Sequence, residues 1–157
     1  MTQTKVIGES VKQTNRTFVK SYVEEYAKAI TENYRRYHLN TLNGNLHGNY
    51  PEYAKKQLAE IENGTANLMK FKVYTGKRYY KIVQQEFETW EKSRNYGKYA
   101  DGSVHCFVDK ETGDVYKPAS WSAPAKHIRF TFQNVNHLDF LLNPDNVDWA
   151  GGYLYLR

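Results

Sequence analysis

One short stretch of the chain carries cations and aromatic rings in close succession. Residues 70–81 contain five basic side chains and no acidic one, with aromatic residues placed between them. Lysine and arginine contact phosphates and exposed rings stack on bases, so this combination is typical of single-strand binding. The alternative is an edge strand whose lysines keep it from aggregating. The candidate contact residues are Lys70, Lys72, Tyr74, Lys77, Arg78, Tyr79 and Lys81.

A second candidate patch lies downstream, around a single tryptophan. Trp121 stands between Pro118 and Pro124, and prolines this close together predict an ordered but irregular strip that covers the sheet. Lys126 and Arg129 follow in the chain and are candidates to extend the basic surface. We therefore expect Trp121 and its flanks to form a further contact patch, with burial of Trp121 as a core plug as the alternative.

The residue types used in catalysis and metal binding are present, but their spacing does not predict a catalytic or metal site. His105 and Cys106 are neighbours on a predicted strand, so their side chains should point to opposite faces and form no dyad. Asp109, Glu111 and Asp114 have a spacing close to that of a calcium loop, but no glutamate closes it, and a hairpin turn is the better interpretation. We expect no enzymatic activity, no catalytic residue, no metal site and no cofactor.

Charge and composition narrow the class of protein. The 157-residue chain carries a net charge of +5, and residues 70–81 alone supply five positive charges, so the other 17 basic and 17 acidic residues cancel. Fourteen tyrosines predict many half-buried positions at core edges and interfaces. The sequence has no apolar span of membrane length and no secretory signal pattern, so we expect no membrane partner.

The chain predicts one domain, residues 1–157, of α+β class. Residues 1–13 are polar and predict a loose arm, residues 14–64 a helical part, and residues 69–157 an antiparallel sheet part. In this prediction two N-terminal helices pack on a C-terminal antiparallel sheet of four to five strands.

The spacing of apolar residues along the chain predicts where the two helices lie. Apolar residues at three- and four-residue steps from Thr14 to His38 predict a long helix, and Pro51 begins a second helix that stops at Asn63-Gly64. Between the two helices, the Asn- and Gly-rich residues 40–48 predict a loop.

In the second half of the chain, apolar and polar residues alternate with the period of two that is typical of β-strands. Residues 69–73 and 78–85 predict a hairpin, although the spacing also allows a short helix near Glu86–Ser93. Residues 103–117 predict a central hairpin, with Gly113 in the left-handed conformation that such a loop needs. Residues 153–157 alternate like a terminal strand at the sheet edge.

Two stretches carry a resemblance. Ser103-Val-His-Cys-Phe-Val-Asp-Lys-Glu-Thr-Gly-Asp-Val-Tyr-Lys-Pro-Ala-Ser-Trp121 and Asp148-Trp-Ala-Gly-Gly-Tyr-Leu-Tyr155 resemble small uncharacterised proteins of tailed bacteriophages. The resemblance covers about the C-terminal half, from Lys77 onward. It implies a virus-encoded origin and a shared fold, and it brings no catalytic residues.

The sequence therefore predicts a non-catalytic bacteriophage protein that acts by protein–protein interaction. It would be a virion component or an inhibitor directed at a host protein, located in the virion or in the cytoplasm of the infected bacterium. The alternative is a protein that binds single-stranded nucleic acid through the basic-aromatic hairpin at residues 70–81.

Overall fold

A computed structural model describes the backbone of residues 2–156 and the side chains of residues 15–156. The elements, in chain order, are α1 (Thr2–Asn45), α2 (Pro51–Glu62), β1 (Lys70–Thr75), β2 (Tyr79–Phe87), β3 (Tyr99–Asp109), β4 (Asp114–Tyr116), β5 (Phe130–Thr131), α3 (Val135–Leu141) and a 3-10 turn (Gly152–Leu154). This is the predicted α+β fold: two N-terminal helices precede an antiparallel sheet, and α1 contacts that sheet.

The five strands form one antiparallel sheet in the order β1-β2-β3-β4-β5. Tyr74 of β1 lies opposite Lys81 of β2, which in turn lies opposite Phe107 of β3. Residues directly opposite each other in a sheet point to the same face. The register therefore places these three side chains together, on one face of the three strands that contain the predicted hairpins.

Helix α1 covers the other face of the sheet. Its buried residues Val19, Val23, Tyr26 and Ile30 recur at steps of three and four, as the sequence predicts for an inward stripe. They belong to one hydrophobic cluster with side chains from four of the strands and from the C-terminal segment: Phe71, Tyr80, Ile82, Cys106, Val108, Val115, Phe132, Leu138, Leu141 and Leu154. The sheet thus has a covered inner face and a more open outer face.

The turn of the central hairpin has the predicted geometry. Gly113 adopts a φ of 76°, and a Cβ atom there would lie 2.7 Å from the Cβ of Phe132. Asp109 accepts hydrogen bonds from the backbone N–H groups of Glu111 and Thr112 at 2.8 and 3.1 Å. The carboxylate of Asp109 therefore organises the turn, which agrees with the interpretation of this segment as a hairpin.

Helix α1 is longer than the sequence predicted. It includes residues 2–13, which were predicted as a loose arm, and residues 40–45, which were predicted as part of a loop. No proline occurs before Pro51, and each residue added to an existing helix gains a backbone hydrogen bond at little further cost. The Asn and Gly residues near its end lower helix propensity without stopping the helix.

The C-terminal predictions also need correction. Residues 152–154 form a 3-10 turn instead of part of the terminal strand predicted for residues 153–157. Gly151 precedes the turn with a φ of 87°, and Leu154 within it is buried. A short helix, α3, also forms that the sequence did not predict, and the side chain of Asn134 caps it by accepting from Asn136 N and His137 N. The helix allowed near Glu86–Ser93 is absent: β2 continues to Phe87 and turns follow.

Within residues 2–156, none of the helices combines the length and the apolar character that crossing a bilayer requires.

Candidate functional site

The outer face of the sheet brings basic and aromatic side chains together. Three cations lie over rings: Lys70 Nζ is 4.0 Å from the ring centroid of Tyr99, Lys72 Nζ is 4.9 Å from that of Tyr74, and Arg78 Cζ is 5.1 Å from that of Tyr79. Attraction between a cation and the face of a ring holds such pairs in place. Cations and rings are therefore paired along this face, and β1, which carries Lys70 and Lys72, is an edge strand of the sheet.

A strip of chain after β4 crosses this face. Residues 118–124 form a small loop closed by a bridge between Pro118 and Pro124 and by a hydrogen bond from Ala125 N to Lys117 O at 2.7 Å. The loop places Trp121 above Lys81, whose Nζ is 4.0 Å from the tryptophan ring centroid and donates to Trp121 O at 2.9 Å. The strip is irregular, as its prolines predicted, and the Trp121 side chain remains 46% exposed.

A cleft of about 480 Å³ opens between this strip and the tip of the β1–β2 hairpin. We call it the basic-aromatic cleft. Its lining comes from the hairpin, from β3 and from the strip: Tyr74, Thr75, Gly76, Lys77, Arg78, Tyr79, Lys81, Asp101, Phe107, Trp121 and Ser122. The sequence suggested two separate patches, one in the hairpin and one at Trp121. The structure joins them into a single site.

The cations of this surface have few acidic partners. Among the side chains of residues 15–156, Lys70, Lys72, Lys77 and Lys81 form no ion pair, and Arg78 lies 3.6 Å from the carboxylate of Asp109. Asp101 lies close enough to Lys72 and Lys81 for charge attraction, so their positive charge is compensated only in part. The remaining positive charge of the outer face can attract an anionic ligand.

One acidic residue that the sequence did not single out lines the cleft. Asp101 accepts from the Tyr74 hydroxyl, 2.8 Å from Oδ1 and 3.0 Å from Oδ2, and from Gln85 Nε2 at 2.8 Å. These hydrogen bonds, that from Gln85 first, lower the pKa of Asp101. The residue was missed because Asp101-Gly102 is typical of a loop, whereas β3 begins at Tyr99 and pairs Asp101 with Gln85.

Two predicted contact residues lie elsewhere. Arg129 is half-buried, and its guanidinium donates to the backbone oxygens of Leu154 at 2.7 Å and Lys126 at 2.6 Å. The bond to Leu154 ties the segment before β5 to the C-terminal turn, and the bond to Lys126 lies within that segment. Lys126 is exposed, but neither residue lines the basic-aromatic cleft.

His105 takes part in a hydrogen-bond chain inside the core, and Cys106 lies beside that chain. The Tyr26 and Tyr153 hydroxyls are 2.6 Å apart, and Tyr153 lies 2.8 Å from His105 Nε2. Cys106 is fully buried in the same hydrophobic cluster as Tyr26, whose hydroxyl acts on the pKa of the thiol. The expectation that the two neighbours point to opposite faces is therefore wrong. The β2–β3 register skips His105 between Ile82 and Val83, and such a bulge re-aims the extra side chain.

Burial determines the protonation of this chain. It lowers the pKa of His105 to about 4 and raises that of the Cys106 thiol to about 12. His105 also bonds to the backbone of Trp149, whose N–H is already donated to Asn33 Oδ1, so the Trp149 carbonyl is the acceptor. The neutral imidazole therefore donates through Nδ1 and accepts through Nε2.

The donors of the hydroxyl–hydroxyl and hydroxyl–imidazole bonds follow from this tautomer. Tyr153 donates to His105, and Tyr26 donates to Tyr153. Burial keeps these groups and the Cys106 thiol un-ionised at neutral pH. This arrangement stabilises the core and leaves Cys106 without the thiolate that nucleophilic chemistry needs.

Metal-binding groups are not assembled in the part of the chain described at side-chain level. There, His, Cys, Asp and Glu residues do not come together in groups of three or more that could hold a metal ion.

Fold and site together define a class: an α+β domain with an antiparallel meander whose outer face carries a basic-aromatic cleft. The chain belongs to the family of unknown function DUF7717, which it matches over residues 5–156. Neither the curated proteins nor the solved structures include a significant match to the chain.

Proposed function

We propose that this protein binds single-stranded nucleic acid along the outer face of its sheet and performs no chemistry on it. The observation that carries the proposal is the basic-aromatic cleft, in which cations and half-buried rings from the hairpin meet the exposed ring of Trp121 from the strip. Grooves that track a phosphate backbone while bases stack on aromatic side chains are the usual means of binding single strands. Double-stranded ligands would hide their base faces from Trp121.

The parts of the cleft suggest a division of labour. Lys77 and Arg78 are exposed at the hairpin tip, where they would contact phosphates. Tyr79 and Trp121 offer ring surface to bases, and stacking of this kind contributes about 1–3 kcal/mol per base. Lys72 lies outside the cleft on the same face and would extend the phosphate track along β1.

Charge reversal on this face tests the proposal. Fluorescence anisotropy with a labelled single-stranded DNA oligonucleotide should show affinity that falls steeply with salt, by about 0.7 in log–log slope per phosphate contact. The double variant Lys72→Glu, Arg78→Glu should weaken binding more than tenfold and lower that slope.

The matched control is Lys55→Glu, Lys56→Glu on α2, which makes the same charge change away from the cleft. It should leave most of the affinity in place. Equal losses in the two double variants would mean that binding follows net charge alone, and the outer face would then not be the site.

A protein partner is the second candidate, and aromatic residues outside the cleft favour it. Tyr50 and Tyr53 at the start of α2 are 83% and 64% exposed, and Trp90 in the loop after β2 is 63% exposed. Exposed tyrosine and tryptophan are frequent contributors to protein interfaces. On this proposal the resemblance to tailed-phage proteins indicates a phage protein that is a virion component or acts on a host protein in the infected cytoplasm.

Mass spectrometry of purified virions from the source phage separates these roles. Many copies per particle would support the virion component. Absence from the particles would leave the host-directed role, for which Tyr50→Ala, Tyr53→Ala should abolish capture of one host protein by the tagged chain, while the Lys72→Glu, Arg78→Glu variant should not.

A further inference from the structure

A single carboxylate lies within an otherwise basic cleft, and its position is fixed. Asp101 lines the cleft and is exposed, while two neighbours hold it: the Tyr74 hydroxyl and Gln85 Nε2. Gln85 is itself only 7% exposed, so it is a rigid support. Because both neighbours donate hydrogen bonds to it, the Asp101 carboxylate is an anion at neutral pH.

This carboxylate is in the wrong place for a phosphate contact. A phosphate next to Asp101 would meet a like charge, which costs free energy at short range. Phosphates therefore belong at the hairpin tip, near Lys77 and Arg78, and another part of the ligand must face Asp101. That part has to donate hydrogen bonds, since an ionised carboxylate only accepts them.

The carboxylate has room for such a donor. Its two oxygens accept about four hydrogen bonds in total. Gln85 binds Oδ1, and the single proton of the Tyr74 hydroxyl is shared between the two oxygens, so two of these positions are taken and room for one further donor remains at each oxygen. A ligand that carries two adjacent donors can bind in the plane of the carboxylate while its ring stacks against an aromatic side chain of the cleft.

We propose that Asp101 selects guanine within the bound single strand, by accepting hydrogen bonds from its N1–H and N2–H₂ groups. This inference rests on the proposed nucleic-acid function. Guanine is the base with two adjacent donors on its Watson–Crick edge. Adenine places an acceptor at N1, where it faces the carboxylate, and hypoxanthine keeps N1–H but lacks the 2-amino group.

Three nine-nucleotide DNA strands test the inference. Each is oligothymidine with one central purine: guanine, hypoxanthine or adenine. Anisotropy titrations at fixed salt should give the tightest binding for guanine, about tenfold tighter than for adenine, because a good bidentate pair discriminates by this order. Hypoxanthine should fall between the two.

The expected effect of Asp101→Asn differs from that of unfolding, because one affinity should increase while the base preference is lost. It should remove the preference for guanine and, because a negative charge is lost, bind plain oligothymidine more tightly than the unmodified protein does. Glu86→Gln makes the same charge change on an exposed β2 residue outside the cleft, and it should keep the guanine preference. If Asp101→Asn does not fold, Tyr74→Phe keeps the carboxylate while removing one of its supports, and should reduce the preference in part.

The outcomes separate the two proposals. Equal, salt-dependent binding of the three strands would overturn guanine selection and leave the nucleic-acid function standing. Binding of none of the strands, at low salt, would overturn both and would point to a partner protein's arginine as the donor that faces Asp101.

Discussion

The two faces of the sheet use similar residues for opposite purposes. On the inner face, Tyr26, Tyr153 and His105 form a hydrogen-bond chain beside Cys106, and no buried side-chain nitrogen or oxygen of the described residues lacks a partner. On the outer face the aromatic rings pair with cations, and the lysines among these form no ion pair in the described part of the chain. The polar groups of the inner face are thus paired with one another, whereas the lysines of the outer face point to solvent or rings instead of carboxylates.

This difference shows that residue type is a poor guide to function. Histidine, cysteine and tyrosine are among the groups that catalysis uses, yet His105, Cys106 and Tyr26 lie in the core, where burial keeps them neutral. The outer face consists of lysines and tyrosines that, taken singly, would pass for solvated surface. Burial and the partners of each side chain separate the two roles.

Truncation of one tyrosine on each face should give the largest difference in stability between the two faces. Tyr26→Ala removes a fully buried ring and leaves the Tyr153 hydroxyl without its partner, so we expect the free energy of unfolding to fall by about 3–5 kcal/mol. Tyr79→Ala removes a half-buried ring on the outer face, and we expect about 1 kcal/mol. Urea denaturation measures both values.

The two variants should rank in the opposite order when the loss of single-strand affinity is measured instead of the loss of stability. Tyr79→Ala should weaken single-strand binding severalfold, because a stacking surface is lost. If the two truncations cost equal stability, the outer rings would be part of the core, and the division between a structural and a binding face would be wrong.

The pH dependence of stability should report the inner face. His105 has its pKa lowered from 6.5 to about 4 by burial, against a smaller raising effect of Asp148. In the unfolded chain the imidazole takes up a proton near pH 6.5, while the folded protein resists this until about pH 4. Stability is therefore lost as the pH falls from 6.5 to 4, by up to about 3 kcal/mol.

Comparison with a variant that lacks the imidazole separates the contribution of His105 to this pH dependence from that of the carboxylates. His105→Gln keeps a donor for the Trp149 carbonyl and an acceptor for Tyr153, and it does not titrate. Urea denaturation at pH 7 and pH 4.5 should show a markedly smaller difference for the variant than for the unmodified protein. Identical differences would mean that His105 is accessible to protons and that the buried chain is not closed.

The sequence predicts the fold well where its signals are local. The stripe of Val19, Val23, Tyr26 and Ile30 locates the inward face of α1, and the glycine with positive φ at residue 113 locates the central turn. Periodicity and turn chemistry act over a few residues, so a single sequence records them. The limits of α1 were missed because helix continuation depends on cooperativity and not on a local stop signal.

The site was predicted in parts because its assembly is not local. The basic-aromatic residues of the hairpin and Trp121 were named separately, and only the loop of residues 118–124 brings them within 4.0 Å of each other, at Lys81 and Trp121. Asp101 enters the cleft through strand pairing with Gln85. The bulge at His105 likewise depends on the register of two strands, so neither feature has a signal in residue spacing.

Removal of the Lys81 ammonium group should have the smallest effect on stability, and this effect should be confined to the strip of residues 118–124. Lys81 fixes the strip by its contact with the Trp121 ring and its hydrogen bond to Trp121 O. Lys81→Met keeps the aliphatic stem and loses both, so we expect the free energy of unfolding to fall by about 1 kcal/mol. Amide hydrogen exchange at Ala123 and Ala125 should accelerate, because the strip opens more often without this contact.

Lys72→Met is the matched control, since Lys72 lies over Tyr74 on the same face and does not contact the strip. It should leave exchange at Ala125 unchanged while weakening binding of a single strand to a similar degree. If both variants accelerate exchange equally, the strip responds to the total charge of the face. If neither does, the strip is rigid without Lys81, and its ammonium group is then free to serve a phosphate.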